Sequence, residues 1–224
     1  MKITSNTIVK NGMPFIGKVL EQVAPYMDEM IISLSVKSTD TTRNELEKIR
    51  EKYPDKVRLF AEDVPKLKDL TRTRNEQVQD SHGDWILFLD DDDFWPRPEL
   101  EKCIAELDKD PDILAYHVNP FQLTEDKKYD MHWEHKFFSK WLRRDGLHFR
   151  KPWPKDMPFN KDRPLHWSCS EGLTKKLPYK FFHLSYLKEY TFRELEGIPP
   201  RYKFKMGRSL ELPEEFKKYI DELF

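Results

Sequence analysis

Four consecutive carboxylates, Asp90-Asp91-Asp92-Asp93, follow directly on the apolar run Trp85-Ile86-Leu87-Phe88-Leu89. An unbroken apolar run of this length reads as a central strand buried on both faces, and the carboxyl end of such a strand is where open α/β sheets bind ligands. Adjacent negative charges repel one another unless solvent or a cation screens them. A divalent ion that prefers oxygen ligands, Mn2+ or Mg2+, resolves the repulsion and bridges to phosphate oxygens. The run taken alone leaves a solvated acidic turn open as the alternative. A calcium loop of the helix-loop-helix kind fits less well, because its acids are spaced around a Gly and end on a distant Glu, whereas this run is contiguous and leads into Phe94-Trp95-Pro96.

A second stretch with chemical content runs from Lys136 to Trp153. It interleaves Phe137, Phe138, Trp141, Phe149 and Trp153 with Lys136, Lys140, Arg143, Arg144, Arg150 and Lys151. Aromatic faces pack on the apolar faces of sugars and Arg binds phosphate or carboxylate, so an anionic or phosphorylated saccharide suits this stretch. Single-stranded nucleic acid suits it too, as do loop aromatics closing a small core among solvated charges. Across the whole chain, 39 Lys and Arg stand against 40 Asp and Glu, so net charge gives no reason to expect nucleic acid or an anionic membrane as partner. The two cysteines, Cys103 in a helical pattern and Cys169 in a loop, argue against a secreted disulfide framework, and neither is expected to be a nucleophile. Residues 1–6 lack the apolar core of a signal peptide, and no run approaches the roughly 18 to 20 apolar residues of a bilayer span. A soluble, cytoplasmic protein is expected, with peripheral membrane contact left open.

The elements that must carry these groups alternate in the first half of the chain. Thr7-Ile8-Val9 reads as a first strand, followed by a helix with Phe15, Ile16, Val19, Leu20 and Val23 at helical spacing and Pro14 in its first turn. Met30-Ile31-Ile32-Ser33-Leu34 is a second strand, and Ser38, Thr39 and Asp40 offer N-caps to a helix that turns Leu46 and Ile49 inward. Val57–Phe60 is a short third strand, residues 70–79 form a polar helix, and Trp85–Leu89 is the strand before the carboxylates. A helix with Leu100, Cys103, Ile104 and Leu107 and a strand over 113–118 follow. Residues 129–167 show no clear period and read as loops and short strands. Tyr179–Leu184 reads as a late strand and Glu214–Phe224 as a terminal helix. This is an α/β pattern with a Rossmann-like, mainly parallel central sheet, helices on both faces and a C-terminal extension. At 224 residues we expect one domain, residues 1–121 forming one half and 122–224 the other.

Gly83-Asp84-Trp85-Ile86-Leu87-Phe88-Leu89-Asp90-Asp91-Asp92-Asp93, with Pro98 beyond it, resembles the Gly-(Asp/Glu)-aromatic-strand-Asp-x-Asp-Asp segment of family-2 glycosyltransferases of the GT-A fold. Lys10-Asn11, Asp28-Glu29, Ser38-Thr39-Asp40 with Thr42, and Arg74-Asn75 occur in that family's order and approximate spacing. The resemblance implies a GT-A fold and metal-dependent transfer from a nucleotide-sugar donor, with Asp90 and Asp92 as the Asp-x-Asp pair. Asp92 would be the direct metal ligand, Asp90 would lie nearer the ribose or the metal's waters, and Asp93 would support both. Val9, Lys10 and Asn11 would border the nucleotide, and Arg72 or Arg74 would reach the base or diphosphate. Arg74 and Asn75 equally suit a structural role, tying their helix to the neighbouring loop. Ser35 stands where the family has an Asp that contacts the donor base, and it brings a hydrogen bond but no charge. A haloacid-dehalogenase-type phosphatase also carries Asp-x-Asp after an apolar strand, but on its first strand. A nucleotidyltransferase would show a Gly-rich basic loop where this chain has Lys10-Asn11-Gly12-Met13-Pro14.

An inverting transfer needs a carboxylate base at the acceptor as well as a cation on the diphosphate. The family places that base well downstream of the acidic run, often in a Glu-Asp pair. Glu171, in His166-Trp167-Ser168-Cys169-Ser170-Glu171-Gly172, is the candidate base, with Asp156 and Asp162 as rivals. His183-Leu184-Ser185-Tyr186 is similar to the His-x-Ser-Tyr of bacterial glycosyltransferases that build lipopolysaccharide cores. That resemblance implies His183 as a metal or diphosphate ligand, against the ordinary structural role of a strand histidine. The implied acceptor is a saccharide or glycolipid. A sugar-nucleotide-binding domain without catalysis is the other reading that Ser35 leaves open.

Overall fold

The computed structural model describes residues 1–62, 67–123, 128–131, 134–139, 174–184 and 210–223. The first four strands are β1 (Ile3–Val9), β2 (Glu29–Ser35), β3 (Val57–Glu62) and β4 (Trp85–Phe88). They pair in parallel in the order β3-β2-β1-β4. Helices α1 (Ile16–Val23), α2 (Thr42–Lys52) and α3 (Leu67–Asp80) make the crossovers. Right-handed crossovers that step outward from β1 to β3 put α1 and α2 on one face, and the return from β3 to β4 puts α3 on the other. In agreement, α1 packs on α2, and α3 lies against β1.

The two faces differ in chemistry. Under α1 and α2, Ile3, Val9, Met30, Ile32, Leu34, Leu87 and Leu89 join Ile16, Val19, Leu20, Val23, Leu46 and Ile49 in one apolar core. Under α3 the contact is polar. Gln77 donates to the Thr7 carbonyl at 2.7 Å and to Ser33 Oγ at 3.1 Å. Ser33 and Thr73 hydroxyls each donate to Glu62 at 2.9 Å, and Ser81 Oγ donates to Asn6 Oδ1 at 3.2 Å. Apart from the half-buried Glu62 these side chains are buried, as are Ile31, Ile86 and Phe88 on the same face, so a helix with little apolar periodicity docks through hydrogen bonds as well as apolar contact.

Beyond β4 the sheet continues with β5 (Asp93–Phe94), helix α4 (Arg97–Ile104), and strands β6 (Ala115–Leu123), β7 (Lys128–Met131), β8 (Glu134–Ser139), β9 (Thr174–His183) and β10 (Leu210–Glu211). β8 lies antiparallel between β4 and β6, β7 pairs antiparallel with the far half of β6, and β9 runs parallel to β6. The mainly parallel centre therefore carries an antiparallel flank. β9 begins five residues earlier than its apolar stretch indicates, and β6 runs to Leu123, because the two strands extend along each other past a bulge at Val118/Asn119.

Helix α5 (Glu214–Leu223) closes the core. Phe216 meets Phe121 edge-on at 4.8 Å and Phe182 at 6.3 Å, and Lys18 of α1 donates to the Leu223 carbonyl at 2.7 Å. Two sequence expectations shift here. Pro14 lies before α1 rather than in its first turn, since the helix starts at Ile16 after a cis Met13-Pro14 bond. Ser38, Thr39 and Asp40 do not simply cap α2, which starts at Thr42 with Thr41 at its N-cap position and no cap from that side chain.

Candidate active site

Those three residues fasten the loop after β1 instead. Asn11 sits in the left-handed region at φ 54°, a conformation Asn tolerates better than most residues. Its amide donates to Ser38 Oγ at 3.3 Å, and its Oδ1 accepts the Thr39 amide at 2.8 Å. The Gly12 amide donates to Thr42 Oγ1 at 2.7 Å. Asp40 divides its carboxylate between the Met13 amide and the Thr42 amide, both at 3.1 Å, so part of its expected capping survives. The Val9-Lys10-Asn11 loop is thereby held against the end of β2, where Ser35 is buried and accepts from the Lys37 amide at 3.3 Å.

This clamped loop meets the acidic turn at a glycine. A Cβ on Gly12 would stand 2.6 Å from Val9 Cγ2 and 3.1 Å from Asp91 Oδ2, so the close approach requires glycine. Gly83 has a similar reason at the other end of β4, where a Cβ would lie 2.6 Å from the Thr4 backbone nitrogen and 2.7 Å from the Trp85 carbonyl.

The four aspartates take separate directions. Strand alternation continues from Ile86 and Phe88 to Asp90 on the α3 side, and there Arg74 meets it. The Arg74 side chain is 13% exposed, and its guanidinium donates at 2.7 Å both to Asp90 Oδ1 and to the Asn6 carbonyl of β1, with its carbon 5.4 Å above the centre of the Phe88 ring. Burial works against its charge, while Asp90, Asp93 and Asp91 support it, Asp90 most strongly. Arg72, two residues earlier on the helix, pairs with Glu76 at 2.8 Å and Glu62 at 3.8 Å.

Asp93 is fully buried. Its Oδ2 accepts the Asp90 amide at 3.0 Å, and its own amide donates to the Asp90 carbonyl at 3.1 Å, closing the turn on itself. β5 then pairs antiparallel with β9, Asp93 opposite His183 and Phe94 opposite Phe182, and the Leu184 amide donates to the Asp92 carbonyl at 2.8 Å. This ladder brings His183 Nδ1 to 2.9 Å from Asp93 Oδ1 and 3.5 Å from Asp92 Oδ1. Asp92, Asp93 and His183 each present a ligand atom within 4.8 Å of the others. Two carboxylate oxygens and an imidazole nitrogen are a donor set that suits a divalent first-row ion.

The structure thus brings Asp92 and His183 together as the sequence indicates. It adds Asp93, which the sequence reading had only supporting the pair, and it turns Asp90 toward Arg74. The signal for Asp93 was its place opposite His183, which requires knowing how β5 and β9 pair. Glu171, its rivals Asp156 and Asp162, and residues 140–153 of the aromatic and basic stretch lie outside the described residues. Cys103 is buried in α4, and burial pushes its thiol well above the ordinary range, in keeping with an inert side chain. Among the described residues no helix is long and apolar enough to cross a membrane.

A family model described as glycosyl transferase family 2 matches residues 8–167. The chain belongs to that family. The matched span includes the clamped loop, Arg74 and the whole acidic turn, and ends before His183. A mannosyltransferase from Pyrobaculum calidifontis, solved with GDP-Man and Mn2+, superposes with a TM-score of 0.62 at 18% identity, over 98% of this family-2 chain and 68% of that one. S. aureus TarS 1-349, solved with UDP-GlcNAc, gives a TM-score of 0.55 at 17% identity over 87% of this chain and 64% of that one. Another TarS structure gives 0.51 at 17% identity, and there the match spans 67% of this chain but only 30% of that protein. These likenesses are to the fold, an α/β sheet of GT-A type. No curated protein matches the chain by sequence.

Proposed function

We propose that this family-2 chain transfers a glycosyl group from a nucleotide-sugar donor to a saccharide or glycolipid acceptor, with inversion, using a divalent cation on the donor diphosphate. The observation that carries the reading is the convergence of Asp92, Asp93 and His183 at the carboxyl end of β4, beside the clamped Val9-Lys10-Asn11 loop. The nucleotide sugars in the similar structures, GDP-Man and UDP-GlcNAc, support a donor of that class, and Mn2+ in one of them supports the cation. With an imidazole in the set, Mn2+ suits the site better than Mg2+.

Asp92, Asp93 and His183 would hold the ion, which when bound would neutralise charge on the departing nucleoside diphosphate. Val9, Lys10, Asn11 and Ser35 would border the nucleotide, and Asp90, oriented by Arg74, would face its ribose. Glu171 would take the proton from the acceptor hydroxyl as its oxygen attacks the anomeric carbon and the bond to the diphosphate oxygen breaks on the opposite face. The aromatic and basic stretch 136–153 would bind an anionic acceptor, the saccharide portion of a glycolipid at the cytoplasmic surface of a membrane being one that fits.

The test is donor hydrolysis and transfer across UDP, GDP, dTDP and CMP sugars with Mn2+ or Mg2+. Metal-dependent turnover is expected. Asp92→Ala should lose Mn2+ binding and turnover together, and Glu171→Gln should lower transfer by roughly 10²- to 10⁴-fold while leaving donor affinity unchanged. Nucleotide binding without turnover on any donor would instead mark a sugar-nucleotide-binding domain. Full transfer by Glu171→Gln would move the base elsewhere.

A further inference from the structure

The parallel sheet ends at β3, and among the described residues no strand pairs with its outer edge. In a parallel pair, alternate residues turn their backbone groups toward the neighbouring strand. The Lys56 and Glu62 carbonyls accept the Met30 and Val36 amides at 2.8 Å, so the even-numbered residues of β3 face β2. Leu59 and Ala61 therefore turn their N–H and C=O groups outward, where another chain can pair with them. The side chains alternate in the same way. Arg58, Phe60 and Glu62 share the α3 face, Arg58 beside Asp80 and over the Phe60 ring, and Glu62 beside Thr73. Phe60 is 37% exposed, an apolar ring in the middle of an open edge. Charges of one sign along such an edge would repel a second copy. Here the signs are opposite, and each stands two residues from Phe60.

We infer that β3 is a homodimer edge, pairing antiparallel with β3 of a second copy about a two-fold axis at Phe60. An antiparallel ladder joins outward-facing residues to outward-facing residues. Setting Leu59 against the partner's Ala61, and Ala61 against the partner's Leu59, makes four backbone hydrogen bonds. The same alignment puts Phe60 opposite its own copy and Arg58 opposite the partner's Glu62, twice over, at the non-hydrogen-bonded positions where side chains lie closest. Sliding the copies by two residues either way keeps the backbone parity but loses both Arg58–Glu62 pairs. Both groups have capacity for the added contact. Arg58 Nη1 donates to Glu29 at 2.8 Å and to the Asp80 carbonyl at 3.0 Å, and Glu62 accepts one hydroxyl on each oxygen, whereas a guanidinium carries five N–H donors and a carboxylate about four acceptor sites. A cavity of about 270 Å3 between this edge and α3, with Ile31 and Gln77 in its wall, leaves room for a second ring beside Phe60. A patch that complements itself in this way is what a two-fold interface requires. Antiparallel pairing turns the carboxyl ends of the two parallel sheets, and the candidate sites with them, to opposite ends of the dimer.

The test is sedimentation velocity of the full chain over a concentration series, beside a thermal melt of each variant. A paired edge of this length buries less than a standard interface, so a monomer–dimer equilibrium is expected at roughly 10 to 500 μM. Ala61→Pro removes an N–H that faces outward and leaves the bonds to β2 in place. It should melt like wild type and dissociate about tenfold more readily or beyond, two of the four bonds being lost. Cysteines report the register. Opposed residues at non-hydrogen-bonded positions have Cα atoms about 4.5 Å apart, within disulfide reach, whereas position 61 is two residues out of line with its copy and beyond the limit of about 7 Å. In a Cys169→Ser background, oxidation should cross-link Phe60→Cys chains and not Ala61→Cys chains. A wild-type chain that stays monomeric at about 500 μM overturns the inference. So does an Ala61→Pro dimer within threefold of wild-type affinity, or cross-linking at position 61 in preference to 60. Should Ala61→Pro fail to fold, the two cysteine variants decide.

Discussion

Arg74 is a cation set against Asp90, Asp91 and Asp93, and its surroundings set what its loss would do. Asp90 is partly exposed, at 42%, and Arg74 is held between it, the Asn6 carbonyl and the Phe88 ring. Removing the guanidinium leaves Asp90 beside Asp91 and Asp93 without its neutralising partner. Arg74→Met is expected to cost about 2 kcal/mol, less than for a fully buried pair because water reaches Asp90. In a chain of this size that lowers the melting temperature by about 4 to 8 °C, and a melt within 1 °C of wild type would rule the bridge out as a stabilising contact. Arg74→Lys should recover only part of the loss, since a point charge cannot address a carbonyl and a carboxylate in one planar fork. The sequence named both Arg72 and Arg74. Two residues apart on a helix they point in different directions, and the choice depends on a carbonyl 68 residues upstream, which no local pattern reveals.

Among the elements, the local ones were read well and the pairings between distant ones were not. The apolar run of β4 and its abrupt end at the carboxylates were legible because a buried strand needs apolar residues on both faces and its end needs a ligand or solvent. Helix α3 was legible only as a polar helix, because the buried Thr73 and Gln77, with Ser81 just beyond its end, satisfy the sheet with hydrogen bonds and leave Val78 as an isolated apolar contact among its described side chains. Ser38 and Thr39 were misread as helix caps because the loop they brace lies about 27 residues away in sequence. Helix α5 was read correctly, and its place beneath Phe121 and Phe182 gives it a role at the site it does not touch. Phe216→Ala should cost about 2 to 3 kcal/mol, somewhat under the usual range for a buried Phe since Phe216 is partly exposed. A urea midpoint unchanged from wild type would show that α5 is not a brace.

For the whole molecule, acid stability is expected to centre on the end of the sheet remote from the site. Glu29, at the start of β2, accepts from Thr4 of β1, from Arg58 of β3 and from the His82 amide before β4, so one carboxylate ties four strands together. Burial opposes its ionisation, but the His82 amide, Arg58, the His82 ring and Thr4 outweigh it and hold the carboxyl at about 2, against 4.5 for an ordinary glutamate. A carboxyl depressed on folding stabilises above its unfolded pKa and loses that contribution as pH falls toward its folded one. Glu29→Gln should therefore be less stable than wild type by about 2 kcal/mol at pH 7, after allowance for its exposed partners, and the gap should close between pH 4.5 and about 2. Urea unfolding at pH 7, 4 and 3 measures it, and a gap that does not narrow would remove Glu29 from the account. The alternation of strands and helices made the parallel half of the sheet legible, while the pairing of β9 with β5 and β6 was out of reach because it joins residues up to 90 apart. That pairing ties the face of the candidate site to the core by parity. Sliding β9 by one residue would put Phe182 where His183 stands and set the imidazole against Phe216, so a slipped strand would lose the Asp92-Asp93-His183 cluster and its packing in the same step. The aromatic row beneath thus acts as a proofreader of register, admitting only the alignment in which the imidazole of His183 faces away from the core.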